Sequence, residues 1–398
     1  MPLKAHGIPS SNVHSAISLL INGLVNIKDT SGEFLMTLPD GRVIDTKGWN
    51  DWEWTHGVGL YGLWQHHVLT GSSSSLEVIE EWFRNRFAEG GTTKNINTMA
   101  AMLTLCCLYE HEKQHGGDSA KEATKYLAHL EAWADWAMND LIRTRQHGLQ
   151  HVTYLDDNHQ QLWADTLVMT CLPLAKIGLV LNKPQYIAEA KRQFLLHSQY
   201  LFDAPTGLFF HGWQFYDESN PAPTDQPHLQ GHNFARARWA RGNSWATIAI
   251  PELISLLNLD PEHDPLAVHL VSVLRAQIEA LLPLQAKNGL WCTLLDVPES
   301  EGSYPEASAT AGFAAGMLKA CRLRLFPKKD CERYTESAVK AAKAVLDNVS
   351  VDGELLSTSF GTGMGSDYQH YKNIPITPMP YGQAMALLAL GEFLRLYI

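Results

Sequence analysis

Cysteine is scarce in this sequence, with six residues among 398 and no C-x-x-C pair. Most of them lie in apolar stretches that have a helical pattern. This spacing argues against a disulfide framework and against a cysteine-based zinc site, and it predicts buried free thiols. The six are Cys106, Cys107, Cys171, Cys292, Cys321 and Cys331.

Basic residues are also in deficit, because 31 Lys and Arg stand against 42 Asp and Glu, for a formal net charge of -11. Since phosphate binding needs a basic surface, we expect neither a nucleic acid nor a membrane as partner. No apolar run is long enough to predict a transmembrane helix. The N-terminal stretch lacks a basic segment followed by a compact apolar one, so no signal peptide is expected and the predicted location is cytoplasmic.

Tryptophan, in contrast, is plentiful, with twelve residues, of which five lie in polar loop sequence. Flat aromatic faces on loops suit sugar rings, whose C–H faces are apolar while their edges are polar. Packing in the core is the alternative. The five are Trp49, Trp52, Trp54, Trp213 and Trp239.

An internal repeat organises the chain. Six segments begin with a small or polar residue and continue as an apolar helix, as expected of helices buried on every side. Amphipathic helical stretches and glycine-bearing turns lie between them. This repeat predicts an all-α fold in which outer and inner helices alternate and close into an (α/α)6 barrel, a single domain over residues 1–398. The segments begin at Thr55, Asn97, Asp165, Asn243, Ser308 and Pro380.

The most conspicuous short motif, HEKQH from His111 to His115, matches the zinc-protease pattern H-E-x-x-H. It lies at the C-terminal end of the second predicted inner helix and runs into Gly116, where the helix should stop. In the barrel this end lies opposite the mouth, where the turns and the inner N-termini gather. We therefore interpret the motif as a solvated helix end and expect no metal there.

Candidate chemistry concentrates at the mouth. The segment HNFARARWARGNSW places Arg236, Arg238 and Arg241 beside two tryptophans. A guanidinium pairs with a carboxylate while an indole covers a ring, so the segment favours an anionic sugar. Arginines that only bridge acidic loops are the alternative.

Asp165, in the stretch QLWADTLVMT, has two interpretations that do not exclude each other. As an N-cap it would satisfy free amides of an inner helix, and that helix end would lower its pKa. As a general acid it needs a raised pKa, which requires burial against apolar neighbours such as Trp163.

Three motifs in order, LWADTLVM, FFHGW and RWARGNSW, with YPEASATAGFAAGM and TSFGTGMG after them, resemble the unsaturated rhamnogalacturonyl hydrolases of glycoside hydrolase family 105. These enzymes are related to the unsaturated glucuronyl hydrolases of family 88. The resemblance extends from about Trp49 to the C-terminus. It implies an (α/α)6 barrel and a glycosidase of pectin breakdown, with no metal or organic cofactor.

The implied substrate is a small oligosaccharide that a lyase has left with a 4,5-unsaturated uronic acid at its non-reducing end, most simply from rhamnogalacturonan. The implied reaction hydrates the vinyl ether of that ring. Asp165 would protonate C4 and then, as a carboxylate, activate the water that attacks C5. The resulting hemiketal would open and release the partner sugar, typically rhamnose. The same chemistry on unsaturated glucuronyl or other uronyl disaccharides is one alternative, and a non-catalytic glycan-binding toroid is another.

The resemblance also assigns roles to further residues. His211 would join Asp165 in the catalytic site and position water or uronate, and Trp163 would border the proton donor. The related enzymes often carry a second aspartate near the second inner helix, where this sequence has Asn95 and Asn97. Asn97 is therefore expected only to hydrogen-bond the substrate. The residues expected to stack on sugar or to contact the uronate are Trp239, Arg241 and Trp245. We expect a monomer or a weak homo-oligomer.

Overall fold

The computed structural model describes residues 4–38 and 40–397. Within these ranges the chain is mostly helical and its strands are short. The helices are α1 (Ser10–Asn26), α2 (Trp54–Thr70), α3 (Ser73–Ala88), α4 (Ala101–His115), α5 (Gly117–Asp135), α6 (Leu172–Val180), α7 (Pro184–Leu201), α8 (Ala240–Leu256), α9 (Pro265–Leu281), α10 (Ala307–Arg322), α11 (Lys328–Asp347), α12 (Tyr368–Lys372) and α13 (Pro380–Leu394). A π-helical turn, Leu167–Cys171, leads into α6.

Six of these helices close a ring. Helix α2 contacts α4, and the contacts continue through α6, α8, α10 and α13 back to α2. The amphipathic helices α1, α3, α5, α7, α9 and α11 pack on the outside of the ring, α1 on α13 and α5 and α11 each on two neighbouring members. The predicted (α/α)6 barrel is confirmed, with its inner helices at the six predicted segments.

Small residues let the inner helices approach closely. A Cβ added at Gly57 in α2 would lie 2.5 Å from the Cβ of Ala100, just before α4. A Cβ at Gly316 in α10 would lie 2.2 Å from the carbonyl oxygen of Thr247 in α8. Pro251, four residues after Thr247, has no N–H to donate to that carbonyl. Helix α10 therefore packs directly against a carbonyl oxygen of α8 that receives no hydrogen bond from Pro251.

Glutamate side chains cap the starts of two inner helices, α2 and α10. Glu53 accepts a hydrogen bond from Trp54 N–H at 2.8 Å, and Glu53 N–H donates to His56 Nδ1 at 2.9 Å. This reciprocal pair begins α2. Glu306 caps α10 with its carboxylate. Helix α2 ends at Gly71, whose φ of 72° lies in the left-handed region that favours glycine.

The strands matter mainly because one sheet positions the site. In the three-stranded sheet formed by β5 (Gln161–Trp163), β8 (Gly212–Phe215) and β9 (Gly231–His232), Leu162 pairs with Trp213. Directly after β5, Ala164 N–H donates to His211 O at 3.0 Å. The segment that leads to Asp165 is therefore fastened to the segment that carries His211. The strands are β1 (Lys4–Ala5), β2 (Ile8–Pro9), β3 (Leu35–Thr37), β4 (Val43–Asp45), β5 (Gln161–Trp163), β6 (Phe202–Asp203), β7 (Leu208–Phe209), β8 (Gly212–Phe215), β9 (Gly231–His232), β10 (Trp291–Cys292) and β11 (Pro305–Glu306).

Two of the five loop tryptophans belong to the core. Trp49 and Trp52 are 7% and 2% exposed, and their ring centroids lie 6.5 and 5.1 Å from that of Trp82 in α3. The expectation of sugar stacking is wrong for these two, because the outer helix covers them. Trp213 is half-buried against Tyr200.

The HEKQH motif ends α4, as predicted. His115 Nδ1–H donates to His111 O at 2.8 Å within the helix, and Gly116 follows with a φ of 71°. Nowhere in the part of the chain that the structure describes do three or more His, Cys, Asp or Glu side chains gather so that they could hold a metal ion. The six cysteines are free, and three of them, Cys106, Cys107 and Cys171, are buried.

One helical stretch, Pro265–Leu284, is long and apolar enough to cross a membrane, with a mean hydropathy of 1.4. The sequence analysis predicted no apolar stretch of this length. The stretch is an outer helix of the barrel, 44% buried, and its buried side chains include Leu270, Leu274 and Ile278. An apolar helix that packs in a core has the same composition, so the feature is weak evidence for a membrane span.

Candidate active site

A cavity of about 720 Å³ lies at the mouth of the barrel. The starts of several inner helices contribute to its wall, as the repeat predicts. These wall residues are Glu53 (before α2), Trp54 (α2), Asn97 (before α4), Asp165 (before α6), Trp239 (before α8), Arg241 (α8) and Tyr381 (α13).

Asp165 enters the cavity without a cap hydrogen bond from its side chain. Its main-chain carbonyl accepts from Val168 N–H and Met169 N–H at 3.1 and 3.0 Å. Its carboxylate Oδ2 has no hydrogen-bond partner among the described residues and lies 3.6 Å from His211 Nε2. The side-chain N-cap interpretation is therefore wrong. The amides of the first helical turn bond to the main-chain carbonyl of Asp165, and its carboxylate stays available.

Opposing effects act on the pKa of Asp165. Burial raises it, whereas His211, His151 and Arg241 lower it, and the net direction is downward. The raised pKa that a general acid requires is therefore not present at Asp165 in this structure. Burial also lowers the pKa of His211, and it lowers that of His151 to about 3, so both rings are neutral near pH 7. Arg241 is then the permanent positive charge near Asp165.

His151 is a site residue that the sequence analysis missed. Its ring stacks on Trp163 with a centroid distance of 4.0 Å and an interplanar angle of 9°. Its Nδ1 lies 2.8 Å from Thr166 Oγ1, and the residue is on the cavity wall. The only signal was its position in the turn element HGLQHVTY, which precedes the third inner helix.

Of the predicted site residues, Trp163 and Asn97 lie on the cavity wall as expected, whereas His211 and Trp245 lie behind it. Asn95 is buried beneath the wall and accepts from Thr98 N–H at 3.0 Å. His211 is 2% exposed and lies behind Asp165, so it contacts the carboxylate instead of the open cavity. Trp245 is fully buried and packs edge-on against Trp54 at 5.9 Å. The expectation that Trp245 stacks on sugar is wrong, because Trp54 lies between it and the cavity.

Arg241 is held rigidly at the wall. Its guanidinium lies between two rings, 4.5 Å from Trp239 and 4.8 Å from Tyr381. It donates to Ser359 O and Oγ at 3.0 and 2.7 Å, and to Phe360 O at 2.8 Å. These three bonds leave two of its five N–H groups for another acceptor.

The other two arginines of this segment do not reach the cavity wall. Arg238 pairs with Asp203 and Asp296 at 2.5 and 2.9 Å. Arg236 lies over the ring of Phe210 at 5.4 Å. Bridging of acidic loops therefore explains Arg238, and among the three only Arg241, which is itself 1% exposed, lines the cavity.

Glu53 is a second carboxyl group that the sequence analysis missed. It is 5% exposed, and it lines the cavity beside Trp54. Burial, aided by the negative charge of Asp51 and opposed by the hydrogen bond from Trp54 N–H, raises its pKa to about 8. At pH 7 Glu53 is therefore a neutral acid. Its position before the first inner helix, equivalent to that of Asp165 before the third, was the available signal.

The raised pKa of Glu53 predicts a stabilising variant. In the unfolded chain Glu53 releases its proton above its ordinary pKa of 4.5. In the folded chain it keeps the proton up to about pH 8, so each pH unit in this window favours unfolding by about 1.4 kcal/mol. Glu53→Gln keeps the cap acceptor and has no proton to release. We expect it to stabilise the protein by about 3 kcal/mol at pH 7 and by little at pH 4.5.

Urea unfolding at both pH values measures this difference. The surface variant Glu262→Gln is the matched control and should show no such pH-dependent gain. Equal stability of Glu53→Gln and wild type at pH 7 would mean that Glu53 is ionised in the native protein.

Comparison with known proteins identifies the family. The sequence profile of glycosyl hydrolase family 88 matches residues 26–397. The chain belongs to this family. The unsaturated rhamnogalacturonyl hydrolase YesR of Bacillus subtilis is 30% identical over 347 residues, which are 86% of this chain and 90% of that protein.

Solved structures agree with the assignment. Possible members of family GH105 from Salmonella enterica and Klebsiella pneumoniae are each 52% identical with a TM-score of 0.89, and each match covers 99% of this chain and 97% or 96% of that chain. The unsaturated glucuronyl hydrolase of Bacillus sp. GL1, 18% identical with a TM-score of 0.66, covers 96% of both chains and supports the fold alone. The resemblance inferred from the motifs is confirmed, and this family 88 protein is a glycosidase.

Proposed function

We propose that this protein removes a 4,5-unsaturated uronic acid from the non-reducing end of lyase-generated oligosaccharides by hydrating the C4=C5 bond. The observation that carries the proposal is the partly buried carboxylate of Asp165 on the cavity wall, whose Oδ2 has no hydrogen-bond partner among the described residues and lies 3.6 Å from a histidine nitrogen. Such a group can give a proton to C4 and then, as a carboxylate, take one from the attacking water.

The charges at the wall fit an anionic sugar in only one region. Among the described residues the wall carries four carboxyl groups, Glu33, Glu53, Asp156 and Asp165, and a single Lys or Arg side chain, that of Arg241. A uronate carboxylate therefore binds most favourably at the two remaining N–H groups of Arg241. The neutral state of Glu53 removes one source of repulsion.

Binding of the uronate also addresses the pKa of Asp165. His211, His151 and Arg241 lower that pKa in this structure. A uronate on Arg241 would neutralise the guanidinium and add a negative charge nearby, and both effects raise the pKa of Asp165. The substrate would thereby help to protonate the group that has to act as its acid.

The partner sugar is proposed to be rhamnose. Elimination removes the stereocentres at C4 and C5, so galacturonate and glucuronate give the same unsaturated ring, and selectivity depends on the linkage and on the partner sugar. Apolar side chains line much of the cavity, including Leu35, Met36, Leu155 and Phe234. They suit the methyl group of a 6-deoxy sugar better than a hydroxymethyl group. The relative YesR is named a rhamnogalacturonyl hydrolase.

An absorbance assay tests the proposal, because the unsaturated uronate absorbs in the near ultraviolet and hydration removes that absorbance. Wild-type enzyme should bleach unsaturated galacturonyl-rhamnose and release rhamnose. It should act more slowly on an unsaturated uronyl disaccharide whose partner sugar carries a hydroxymethyl group in place of the methyl group of rhamnose, and the saturated galacturonyl-rhamnose should remain intact. Cleavage of the saturated disaccharide, or no bleaching with any unsaturated uronide, would refute the proposed function.

A further inference from the structure

Tyr371 lies at the back of the site, on the short helix α12 that follows the glycine-rich segment TSFGTGMG. It is 1% exposed, and its hydroxyl oxygen lies 2.8 Å from His211 Nδ1. Gly365 N–H donates to the same oxygen at 3.1 Å. A Cβ at Gly365 would come within 2.8 Å of the Tyr371 ring, so the glycine is what permits this contact.

These contacts determine where the imidazole proton lies. The hydroxyl of Tyr371 accepts from Gly365, and His211 Nδ1 is its one acceptor within hydrogen-bond distance in the described ranges. Burial raises the pKa of Tyr371, so the phenol keeps its proton. Burial lowers the pKa of His211, so that ring is neutral and has a single N–H. Because Nδ1 accepts, the N–H is at Nε2, which lies 3.6 Å from Asp165 Oδ2.

We propose that Tyr371 is a positioning residue that fixes His211 in the tautomer whose Nε2–H faces Asp165. This inference rests on the proposed function, in which Asp165 gives a proton to C4. As the proton leaves, negative charge develops on the carboxylate, and Nε2–H is oriented to donate to it. His211 transfers no proton in this step. In the other tautomer a lone pair would face the carboxylate and oppose its formation.

The remaining groups around Asp165 do not replace this contact. His151 is neutral and its Nδ1 is engaged with Thr166. Arg241 directs three of its N–H groups to oxygens of Ser359 and Phe360, in the segment between α11 and α12. His370, which acts on the pKa of His211, has its Nε2 2.6 Å from Thr362 Oγ1.

The pH profile of Tyr371→Phe tests the inference. Without the hydroxyl, His211 is free to place its lone pair toward Asp165, which favours the protonated carboxyl. We expect kcat to fall by about tenfold or more, and the alkaline limb of kcat, where Asp165 loses its proton, to move up by about one pH unit. Tyr334→Phe removes another buried hydroxyl, which donates to Glu279 on the outer helices, and should leave the limb in place. An unchanged limb in Tyr371→Phe would overturn the inference.

Two further measurements separate this inference from the proposed function. Nitrogen-15 spectra of the ligand-free protein, assigned with His211→Gln, report the tautomer without any substrate. The Nε2–H form in wild type, with a shift toward Nδ1–H in Tyr371→Phe, is expected. The Nδ1–H form in wild type would overturn the inference even if the enzyme is active. In a His211→Gln background Tyr371→Phe should have no further effect on the limb, and an undiminished effect would show that Tyr371 does not act through His211.

Discussion

Replacement of Asp165 by asparagine is expected to lower kcat on an unsaturated uronyl disaccharide by about 10³-fold or more, because one carboxyl group supplies both the acid and the base of the proposed hydration. The fold should persist. Oδ2 makes no hydrogen bond within the described residues, so the change in the free energy of unfolding should stay within about 1 kcal/mol. Substrate affinity should change little, since the uronate is assigned to Arg241.

The matched control is Asp157→Asn, an exposed carboxylate in the loop that precedes β5. It should retain wild-type kcat. Bleaching by Asp165→Asn at the wild-type rate would reject Asp165 as the proton donor, and a similar loss in both variants would indicate a general charge effect at the mouth.

Replacement of Arg241 by methionine is expected to weaken both the fold and substrate binding. The change removes three hydrogen bonds and leaves Glu306, which is 1% exposed and 3.6 Å from Arg241, without its cation. Breaking a buried ion pair from one side typically costs about 3 kcal/mol or more of stability. Loss of the guanidinium should also raise KM for the uronate by about ten- to a hundredfold, the value of one charge-assisted hydrogen bond or slightly more.

Arg238→Met provides the comparison, because Arg238 is also paired with acids but does not line the cavity. It should lose stability and keep the wild-type KM. Unfolding by urea and steady-state kinetics on both variants give the two quantities. A normal KM in Arg241→Met would place the uronate elsewhere on the wall.

The sequence predicts the inner helices well, because a helix that is buried on all sides needs apolar or small residues along its whole length, and this composition is visible in the sequence. The run from Ser308 is apolar and rich in small residues along its whole length, and it forms α10 of the inner ring. Amphipathic stretches such as SLEVIEEWFRNRF become outer helices. The π-helical turn after Asp165 has no comparable signature, which is why the side chain was expected to cap and does not.

The sequence predicted site residues that belong to a recognisable motif. It did not predict those that reach the site only through contacts between distant segments of the chain. Asp165, Trp239 and Arg241 lie on the cavity wall as expected. Trp245 lies one helical turn deeper than Arg241, and sequence spacing does not tell how far the cavity extends. Tyr371 reaches His211 across 160 residues of sequence.

The pKa of Glu53 is likewise a property that the sequence alone does not predict. Its raised pKa depends on the desolvation that the finished cavity wall imposes, and composition alone does not contain it. Cytoplasmic location and oligomeric state stay predictions from the sequence.

The central claim is that hydration of the C4=C5 bond, with Asp165 as proton donor, precedes release of the partner sugar. The reaction in D2O tests it most directly. The released keto acid should carry one deuterium at C4, on a single face, and rhamnose should appear no faster than the near-ultraviolet absorbance is lost. Release of rhamnose ahead of that loss, with the unsaturated uronic acid as first product, would contradict the claim and indicate displacement at the anomeric carbon.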